Sequence, residues 1–315
     1  MANATHAMTD TALPSRRVAR RRGFGFARWM RRRSTIAFFM ALPLLAVIGG
    51  LVLYPAVYAI ELSMLNKSMT RFVGLKNFEF LFTRDTFWMV VRQSAIFAVT
   101  AVIFKALIGL ITAHLVNNLP AKGQRKWRGM LLVPWVMPLS LSTLGWWWMY
   151  DPTYSALNWL LEALHLPAVP WLSDPYWARF SVILDNVWYG APFFLIMYLA
   201  ALKSVPEQLY EAAAIDGANA WQKFIHVTLP MMRNIISITV LFSLIVTFAN
   251  FDIIWIMTQG GPRDMTHIFA TWAFKLGIQS GDIPLGASVS LFMFPILGVA
   301  AIFILRGVVK RGKEI

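Results

Sequence analysis

The stretch "SVPEQLYEAAAIDGANAWQKFIHVTLPMM", residues 204–232, separates two long apolar runs of this chain. It is too polar to cross a bilayer, because a membrane-spanning helix needs about 20 predominantly apolar residues in succession. Asp216-Gly217 also interrupts it, since this pair is typical of a turn. Its alanines and helix-start signals nevertheless predict ordered structure. We therefore interpret it as a folded surface segment held between two membrane spans.

Local signals predict that this segment forms two short helices joined by a turn. Asp216-Gly217 provides the turn, because glycine accepts a positive φ without a steric cost. A capping box pairs a Ser or Asn with a Glu or Gln three residues later. Each helix is predicted to begin with one: Ser204 with Glu207, and Asn219 with Gln222.

The composition indicates a polytopic membrane protein. Of the 315 residues, 58% are hydrophobic and 14% are charged, whereas soluble domains carry about 25% charged residues. Six apolar stretches are long enough to cross a bilayer. They cover residues 35–60, 88–115, 129–150, 178–202, 235–257 and 283–305. The expected fold is therefore an all-α integral membrane protein with six transmembrane helices.

The distribution of positive charge predicts the orientation of these spans. Twenty of the 29 Lys and Arg residues lie on the side of both termini and of the 204–232 segment, and eight lie on the other side. The positive-inside rule then places both termini in the cytoplasm. We expect a basic tail over 1–34, a six-helix transmembrane domain over 35–310 and a short tail over 311–315.

The Arg-rich tail and the net charge of +14 raise the question of a nucleic-acid partner. A nucleic-acid arm and a transit peptide are two alternatives for such a tail. We favour a third function, in which the tail orients the first span and contacts anionic membrane lipid. No nucleic acid is therefore expected among the partners.

The residue inventory argues against catalysis by this chain. Cysteine is absent and the five histidines are scattered, so we expect no metal site. No phosphate-binding loop of the form GxxxxGK[ST] occurs, so the chain should not hydrolyse ATP by itself. A membrane enzyme would need clustered nucleophiles, acids or metal ligands near one interface. We therefore expect a protein that is not an enzyme.

Polar stripes at helical spacing run along the fourth and fifth predicted spans. They consist of Asn186, Gly190 and Phe193 in the fourth span and Ser243, Thr247 and Asn250 in the fifth. The three residues of the fifth span fall within roughly 60° of one another on a helix. Hydroxyls, amides and an aromatic face suit a sugar-like ligand. The alternative is that these small and polar residues only hold helices together.

Lys105 and Asp185 are ionisable residues within predicted spans. A charge near the bilayer centre costs about 2.5–3.5 kcal/mol on insertion scales, so such a residue is usually paired or faces a cavity. The two side chains can pair with each other, or an unpaired Lys105 can attract an anionic substrate. A further alternative is an ion-coupled secondary transporter that uses both, although the internal repeat typical of that class is not visible.

The spacing within the 204–232 segment resembles a known motif. Glu211-Ala212-Ala213, a glycine four residues later and a Leu-Pro pair at 229–230 resemble the EAA loop of permeases of ATP-binding-cassette (ABC) importers. The run "EAAAIDGANAWQKFIHVTLP" is similar to the maltose-type, binding-protein-dependent sugar permeases. "FVGLKNFEFLF" (72–82) and "FDIIWIMTQGGP" (251–262) resemble two further segments of that family, so the resemblance covers roughly residues 35–310.

This resemblance implies a type I ABC importer permease in the bacterial inner membrane, working by alternating access. It implies that the segment docks on a separate ATPase, present in two copies, which holds the ATP and Mg while this chain holds no cofactor. The predicted docking residues are Glu211, Ala212, Ala213, Asp216, Gly217 and Ala218. A second, similar permease chain and a periplasmic solute-binding protein are the other expected partners.

The resemblance also implies substrate contacts. Positions that match the substrate-contacting residues of the family are Gly190, Phe193, Ser243, Thr247 and Asn250. They belong to the two polar stripes, so periodicity and resemblance predict the same substrate path.

Overall fold

The structure is a computed structural model that describes residues 33–312, with side chains over 37–306. Most of the predicted tail 1–34, and residues 313–315 of the predicted C-terminal tail, lie outside the described residues. The helices are α1 Arg33–Ile48, α2 Tyr54–Ser63, α3 Lys76–Phe82, α4 Asp85–Asn117, α5 Ala121–Leu131, α6 Val133–Val136, α7 Leu139–Met149, α8 Ala156–Ala163, α9 Pro175–Ser204, α10 Glu207–Ile215, α11 Ala220–Lys223, α12 Leu229–Phe248, α13 Asp252–Met257, α14 Phe269–Phe274, α15 Ile283–Leu291 and α16 Met293–Gly312. Short π-helical segments occupy Gly49–Leu53, Phe224–Thr228 and Lys275–Gln279.

The chain divides into two compact units, which meet between residues 56 and 57. In the first, the described part is helical and its apolar side chains are largely exposed, with Met40 at 78% and Leu51 at 74%. An apolar helix with exposed apolar side chains is what a lipid environment requires. The second unit contains the remaining helices and all residues of the candidate site.

Five helices among residues 33–312 are long and apolar enough to cross a membrane. They are Ala37–Ser63, Asp85–Asn117, Pro175–Ser204, Ala220–Phe248 and Ile283–Arg306. They match five of the six predicted spans, and the prediction of a multi-pass helical membrane protein is confirmed.

The prediction of one continuous helix over 129–150 was wrong. This region forms the end of α5 and the short helices α6 and α7. Pro134 lies in the first turn of α6, and Pro138 directly precedes α7. Met137, the residue before Pro138, is extended with ψ 143°. Proline lacks an N–H and disfavours helical geometry in the preceding residue, so the apolar run is divided.

The fifth span also differs from its predicted bounds of 235–257. Its helix begins at Ala220, inside the quoted segment, and ends at Phe248. Residues 252–257 form the separate helix α13. The second short helix of the segment is therefore the beginning of the membrane span itself, continuous with it through the π-helical turn.

The core lies between α4 and α9, which form the most extensive helix pair. Gly109 allows their close approach, because a Cβ there would collide with the Cβ of Phe194 and would lie 3.0 Å from its carbonyl carbon. Buried Phe194, Leu195 and Tyr198 continue this contact, against which α12 also packs. Since Lys105 faces Gly190 and Gly109 faces Phe194, the two helices run in the same direction.

Candidate functional site

The helix α10 and the turn that follows it form the predicted docking surface. The turn is a Schellman motif, in which the N–H of Ala218 donates to the Ala213 carbonyl at 2.9 Å and that of Gly217 to the Ala214 carbonyl at 3.1 Å. Gly217 has φ +79° and open space around it. The predicted turn at Asp216-Gly217 is therefore confirmed, and it depends on glycine for its backbone conformation rather than for close packing.

One of the two predicted capping boxes is present. Asn219 and Gln222 bond reciprocally, at 2.9 Å and 2.8 Å, and begin the helix that becomes the fifth span. The box of Ser204 with Glu207 was wrong. Ser204 is the last residue of α9, and its hydroxyl donates to the Ala201 carbonyl at 2.7 Å. The preceding helix continues up to Ser204 and only two residues separate α9 from α10, so the serine belongs to the wrong helix for this function.

The docking residues predicted from the sequence present a shallow, small-residue surface. Glu211, Ala212, Asp216 and Gly217 are exposed, while Ala213 and Ala218 are half-buried: the predicted set lies together on one surface. A depression of about 340 Å³ is lined by Ala213, Asp216, Gly217, Ala218, Gln222, Lys223, His226 and Val227.

Two large apolar side chains beside this surface were missed by sequence reasoning. Ile215 is 87% exposed and Trp221 is 67% exposed. Most single exposed apolar residues have no special meaning. Ile215 ends α10, outside the spans, and Trp221 lies in the first turn of the helix that becomes the fifth span. Their position on either side of the Asp216-Gly217 turn was the available signal.

Hydrogen bonds hold α10 against the base of the fifth span, and hold the end of α9 against the chain that follows α4. The hydroxyls of Tyr210 on α10 and Thr228 at the base of the fifth span are 2.9 Å apart. Lys203 Nζ, at the end of α9, donates to Gln124 Oε1 at 2.8 Å. Gln124 Nε2 in turn donates to the Leu119 carbonyl at 2.9 Å, just beyond α4. α10 is therefore bonded to the base of the fifth span, and only two residues connect it to α9.

Within the membrane-spanning bundle, Lys105 lies where α4, α9 and α12 meet. Its side chain is buried, and Nζ donates to Thr247 Oγ1 at 2.8 Å. A Cβ added to Gly190 would lie 2.6 Å from Lys105 Cδ, so the glycine makes room for the lysine. The structure thus brings together one predicted charge and one residue from each predicted polar stripe.

Asn250 departs from the predicted stripe of the fifth span. The helix ends at Phe248, and the N–H of Asn250 donates to the Thr247 carbonyl at 3.2 Å in a tightened last turn. Its side-chain Oδ1 accepts a hydrogen bond from the N–H of Ile253 at 3.2 Å. Asparagine side chains readily bond to nearby backbone groups at helix ends. Asn250 therefore caps the start of the next helix and does not extend the polar face of the fifth span.

The other stripe residues pack within this chain. Asn186 and Ser243 are buried, and Asn186 Oδ1 has no hydrogen-bond partner. Phe193 contacts the rings of Trp135 and Phe242, with centroids 5.7 Å and 5.2 Å away. In this structure these side chains pack closely against one another. Their role as a substrate path remains a prediction.

Of the two alternatives for Lys105, the ion pair with Asp185 does not form in the described residues. Among residues 37–306, the ion pairs within 4.0 Å are those of Asp264, and both carboxylate oxygens of Asp185 lack a hydrogen-bond partner. Five residues, or about 140° around the helix, separate Asp185 from Gly190, which faces the lysine. Asp185 is instead near the hydroxyls of Thr143 and Tyr150.

A second turn, over residues 258–267, lies beyond the other end of the fifth span. Its Thr258 and Thr266 hydroxyls are 2.7 Å apart, and Thr266 Oγ1 donates to the Gly261 carbonyl at 2.6 Å. Gly260, with φ +87°, lies against the ring of His267, where a Cβ would collide with three ring atoms. This turn is thus closed by its own side chains.

His267 is fully buried in this turn, and Asp264 accepts an ion-pair contact from Lys275 at 2.5 Å. Burial lowers the pKa of His267 to about 4, and the positive charge of Lys275 adds to that effect. Asp264, 3.4 Å from Nε2, acts in the opposite direction. The imidazole is therefore neutral at pH 7.

Comparison with known proteins shows which protein family this chain matches. The family described as "Binding-protein-dependent transport system inner membrane component" matches residues 105–312. The trehalose/maltose transport system permease protein MalF of Thermococcus litoralis is 31% identical over 268 residues, which are 84% of this chain and 90% of the relative. The sulfoquinovosyl glycerol transport system permease protein SmoG of Agrobacterium fabrum is 29% identical over 85% of this chain and 89% of its own length.

The fold is also similar to a solved structure. The crystal structure of a bacterial ABC transporter involved in the import of the acidic polysaccharide alginate contains a chain that matches with a TM-score of 0.79 and 22% identity. The match covers 90% of this chain and 98% of that chain.

Proposed function

Because the chain belongs to the family of binding-protein-dependent transport system inner membrane components, we propose that it is the permease subunit of a sugar importer powered by a separate ATPase. The names of its relatives include a trehalose/maltose permease and a sulfoquinovosyl glycerol permease. The transported solute is accordingly a sugar or a sugar derivative, carried across the bacterial inner membrane. The ATP and Mg are bound by the ATPase, because this sequence has no phosphate-binding loop.

The observation that carries this proposal is the exposed surface of α10 and its turn. A short helix that presents Glu211 and Ala212, and ends in an exposed glycine turn, suits insertion into a groove of another protein. The flanking side chains of Ile215 and Trp221 supply apolar area for that contact. Large aromatic residues at the centre of an interface commonly contribute most of its binding energy.

The connections of this surface suggest how ATP binding acts on the membrane helices. The Asn219–Gln222 capping box begins a helix that continues into the span carrying Thr247. Only Val205 and Pro206 separate α10 from α9. When the ATPase pair closes, the segment moves, α9 and α12 tilt with it, and the predicted path opens alternately to each side.

Further partners follow from the family. The periplasmic solute-binding protein delivers the sugar at the membrane face that bears the 258–267 turn. Two ATPase subunits need two docking segments and this chain carries one, so a second permease completes the transporter. We propose a similar but different chain for that second subunit.

Co-purification tests the coupling surface. The tagged chain is purified from its native host in mild detergent, and the associated proteins are identified by mass spectrometry. We expect an ATPase and a second permease with the unchanged chain, and loss of the ATPase alone after Gly217→Trp. Gly281→Trp is the matched control, since Gly281 also has positive φ (+65°) and open surroundings but lies in another turn. A chain that is isolated alone and transports sugar in liposomes without ATP would refute the proposal.

A further inference from the structure

We propose that Lys105 recognises a negatively charged group of the transported solute, a carboxylate or a sulfonate, so that the solute is an acidic sugar derivative. This inference rests on the proposed transport function and narrows its substrate class. The site consists of the Lys105 amine, the Thr247 hydroxyl and the backbone of Gly190. Three membrane-spanning helices contribute to it.

The amine has binding capacity that the chain does not use. A lysine ammonium carries three N–H donors, and among residues 37–306 the Nζ of Lys105 makes one hydrogen bond, to the neutral hydroxyl of Thr247. Its side chain is only 4% exposed. A buried charge is costly unless a partner of opposite sign and further hydrogen bonds compensate it. A solute oxyanion supplies both.

The chain itself offers no counter-ion at this position. Among residues 37–306 no carboxylate lies within 4.0 Å of the Lys105 amine. Asp185 is the buried carboxylate of the same helix pair, but it faces the hydroxyls of Thr143 and Tyr150. An amine held near a carboxylate would be neutralised by it, so this separation leaves Lys105 available to an external anion.

The fold also makes room for the lysine. A Cβ at position 190 would lie 2.6 Å from Lys105 Cδ and 3.2 Å from both Cε and Nζ. Gly190 therefore lets the side chain lie across α9 and reach Thr247 on α12. The side-chain oxygen of Asn186, one turn earlier on the same face of α9, has no hydrogen-bond partner and can accept a hydrogen bond from a hydroxyl group of the same sugar derivative.

A second, independent observation concerns the beginning of the same two helices. Arg179 Nε and Nη2 are buried without a hydrogen-bond partner, and Arg92 is close enough to repel it electrostatically. No carboxylate of residues 37–306 lies within 4.0 Å of either guanidinium. Thirteen residues of α4, about 20 Å of helix, separate Arg92 from Lys105. Positively charged side chains thus lie at the predicted external end of α4 and α9 and, with Lys105, in the middle of this helix pair. Their combined field would attract an anion from the external end towards Lys105.

Charge-selective labelling tests this inference without knowledge of the solute. The chain has no cysteine, so Ser243→Cys places a single reporter thiol one turn from Thr247. The complete transporter, reconstituted in nanodiscs and hydrolysing ATP, is treated with methanethiosulfonate ethylsulfonate, an anion, or with its ethyltrimethylammonium counterpart, a cation. Labelling of this chain is followed by mass, and each rate is divided by the rate with free mercaptoethanol.

We expect the corrected anion-to-cation ratio to be about tenfold or more in the presence of Lys105. Lys105→Gln keeps a hydrogen-bond donor for Thr247 but removes the charge, and the ratio should fall to about one. Lys105→Arg should retain the preference. Ser173→Cys, at an exposed loop position, is the control thiol whose ratio should not depend on residue 105.

Arg179→Gln provides a second variant in case Lys105→Gln does not assemble. It leaves Lys105 in place, and we expect the ratio at Ser243→Cys to fall about twofold, since a more distant charge acts through more screening. An unchanged ratio in these variants would overturn the inference, as would a reporter thiol that neither reagent labels during turnover. ATP hydrolysis is measured in the same preparations. Normal hydrolysis with an unchanged ratio refutes the anion site alone, whereas absent ATPase association refutes the proposed function.

Discussion

Two glycine-containing turns, at residues 216–218 and 258–267, lie before and after the fifth membrane span and are built in different ways. Gly217 has φ +79° and no atom within 4 Å of an added Cβ, while Gly260 has φ +87° and the ring of His267 against it. The first turn leaves its side chains exposed. The second is closed by Thr258, Thr266 and His267, which bond or pack within the turn.

This difference indicates whether the contacts of each turn come from its own side chains or from a partner protein. A turn closed by its own buried side chains has a conformation that does not depend on a partner. A turn with exposed small residues has free space that another protein can fill. In the proposed importer, the 216–218 turn is completed by the ATPase, whereas the 258–267 turn, between α13 and α14, is closed by its own side chains.

The largest expected effect is that of Gly260→Ala. A methyl group there would overlap the His267 ring and would also be strained at φ +87°. Overpacking and left-handed strain together should lower the free energy of unfolding by roughly 4 kcal/mol. Thermal unfolding of the purified chain, followed by tryptophan fluorescence, measures the loss. Gly281→Ala, with φ +65° and open surroundings, separates strain from collision, and an equal effect of both substitutions would contradict our description of the turn.

Acidification should weaken the 258–267 turn next. The pKa of His267 is about 4 in the folded chain and about 6.5 in the unfolded chain, which therefore binds the proton first as the pH falls. The stability is complete above about pH 7 and decreases between pH 6.5 and 4, by roughly 2–3 kcal/mol. The midpoint of thermal unfolding across that range measures it.

Two variants sharpen this pH prediction. His267→Gln should remove this part of the pH dependence, although its stability at pH 7 is lower. Lys275→Met should raise the pKa of His267, because the positive charge of Lys275 lowers it and Asp264 would remain. As the pH falls, the loss of stability would then stop at a higher pH and would be smaller in total. Identical pH profiles of the unchanged chain and His267→Gln would refute the assignment.

Gly217→Ala should have a smaller effect than Gly260→Ala. The alanine would strain the backbone at φ +79°, but its methyl group would meet no neighbouring atom. We expect about 1–2 kcal/mol of local destabilisation. Hydrogen exchange at the Ala218 amide, which donates to the Ala213 carbonyl, should become faster while exchange in α9 is unchanged. Gly217→Asn should be milder, since asparagine tolerates left-handed geometry better than alanine. Equal protection of Ala218 in all three chains would contradict a need for positive φ.

The smallest expected effect is that of Asn219→Ala. It removes the acceptor for the Gln222 amide and should cost about 1 kcal/mol at the start of the fifth span. Faster exchange of residues 220–224 is the measurement. Gln222→Glu preserves the reciprocal box and should leave exchange unchanged. Faster exchange in the control would mean that the box is not what holds this helix start.

The sequence predicted local features of the 204–232 segment well, because these depend on neighbours in the chain. The Asp216-Gly217 turn and the Asn219–Gln222 box each involve residues within a few positions of one another. The capping box of Ser204 failed for a related reason. Its pattern was correct, but the preceding helix continued through it, and local patterns do not reveal which of two adjacent helices will extend.

Longer-range features were predicted less well. The 129–150 run had the hydropathy of a span, but its prolines divided it. Asn250 had the spacing of a helical stripe until the helix ended two residues before it. Lys105 and Asp185 had opposite charges and compatible depth. However, Lys105 of α4 packs against the Gly190 face of α9, whereas Asp185 projects from a different face of α9.

By itself, the sequence determined a multi-pass helical membrane protein with a polar segment between its fourth and fifth predicted spans. The reason is that bilayer thickness and the need to satisfy backbone hydrogen bonds leave a long apolar run few alternatives to a helix. Only the tertiary structure decided that Lys105 meets Thr247 across Gly190 and that His267 closes the second turn. Those contacts join residues distant in the chain or depend on how closely backbones approach. Helix rotation and packing set both, and hydropathy does not encode them.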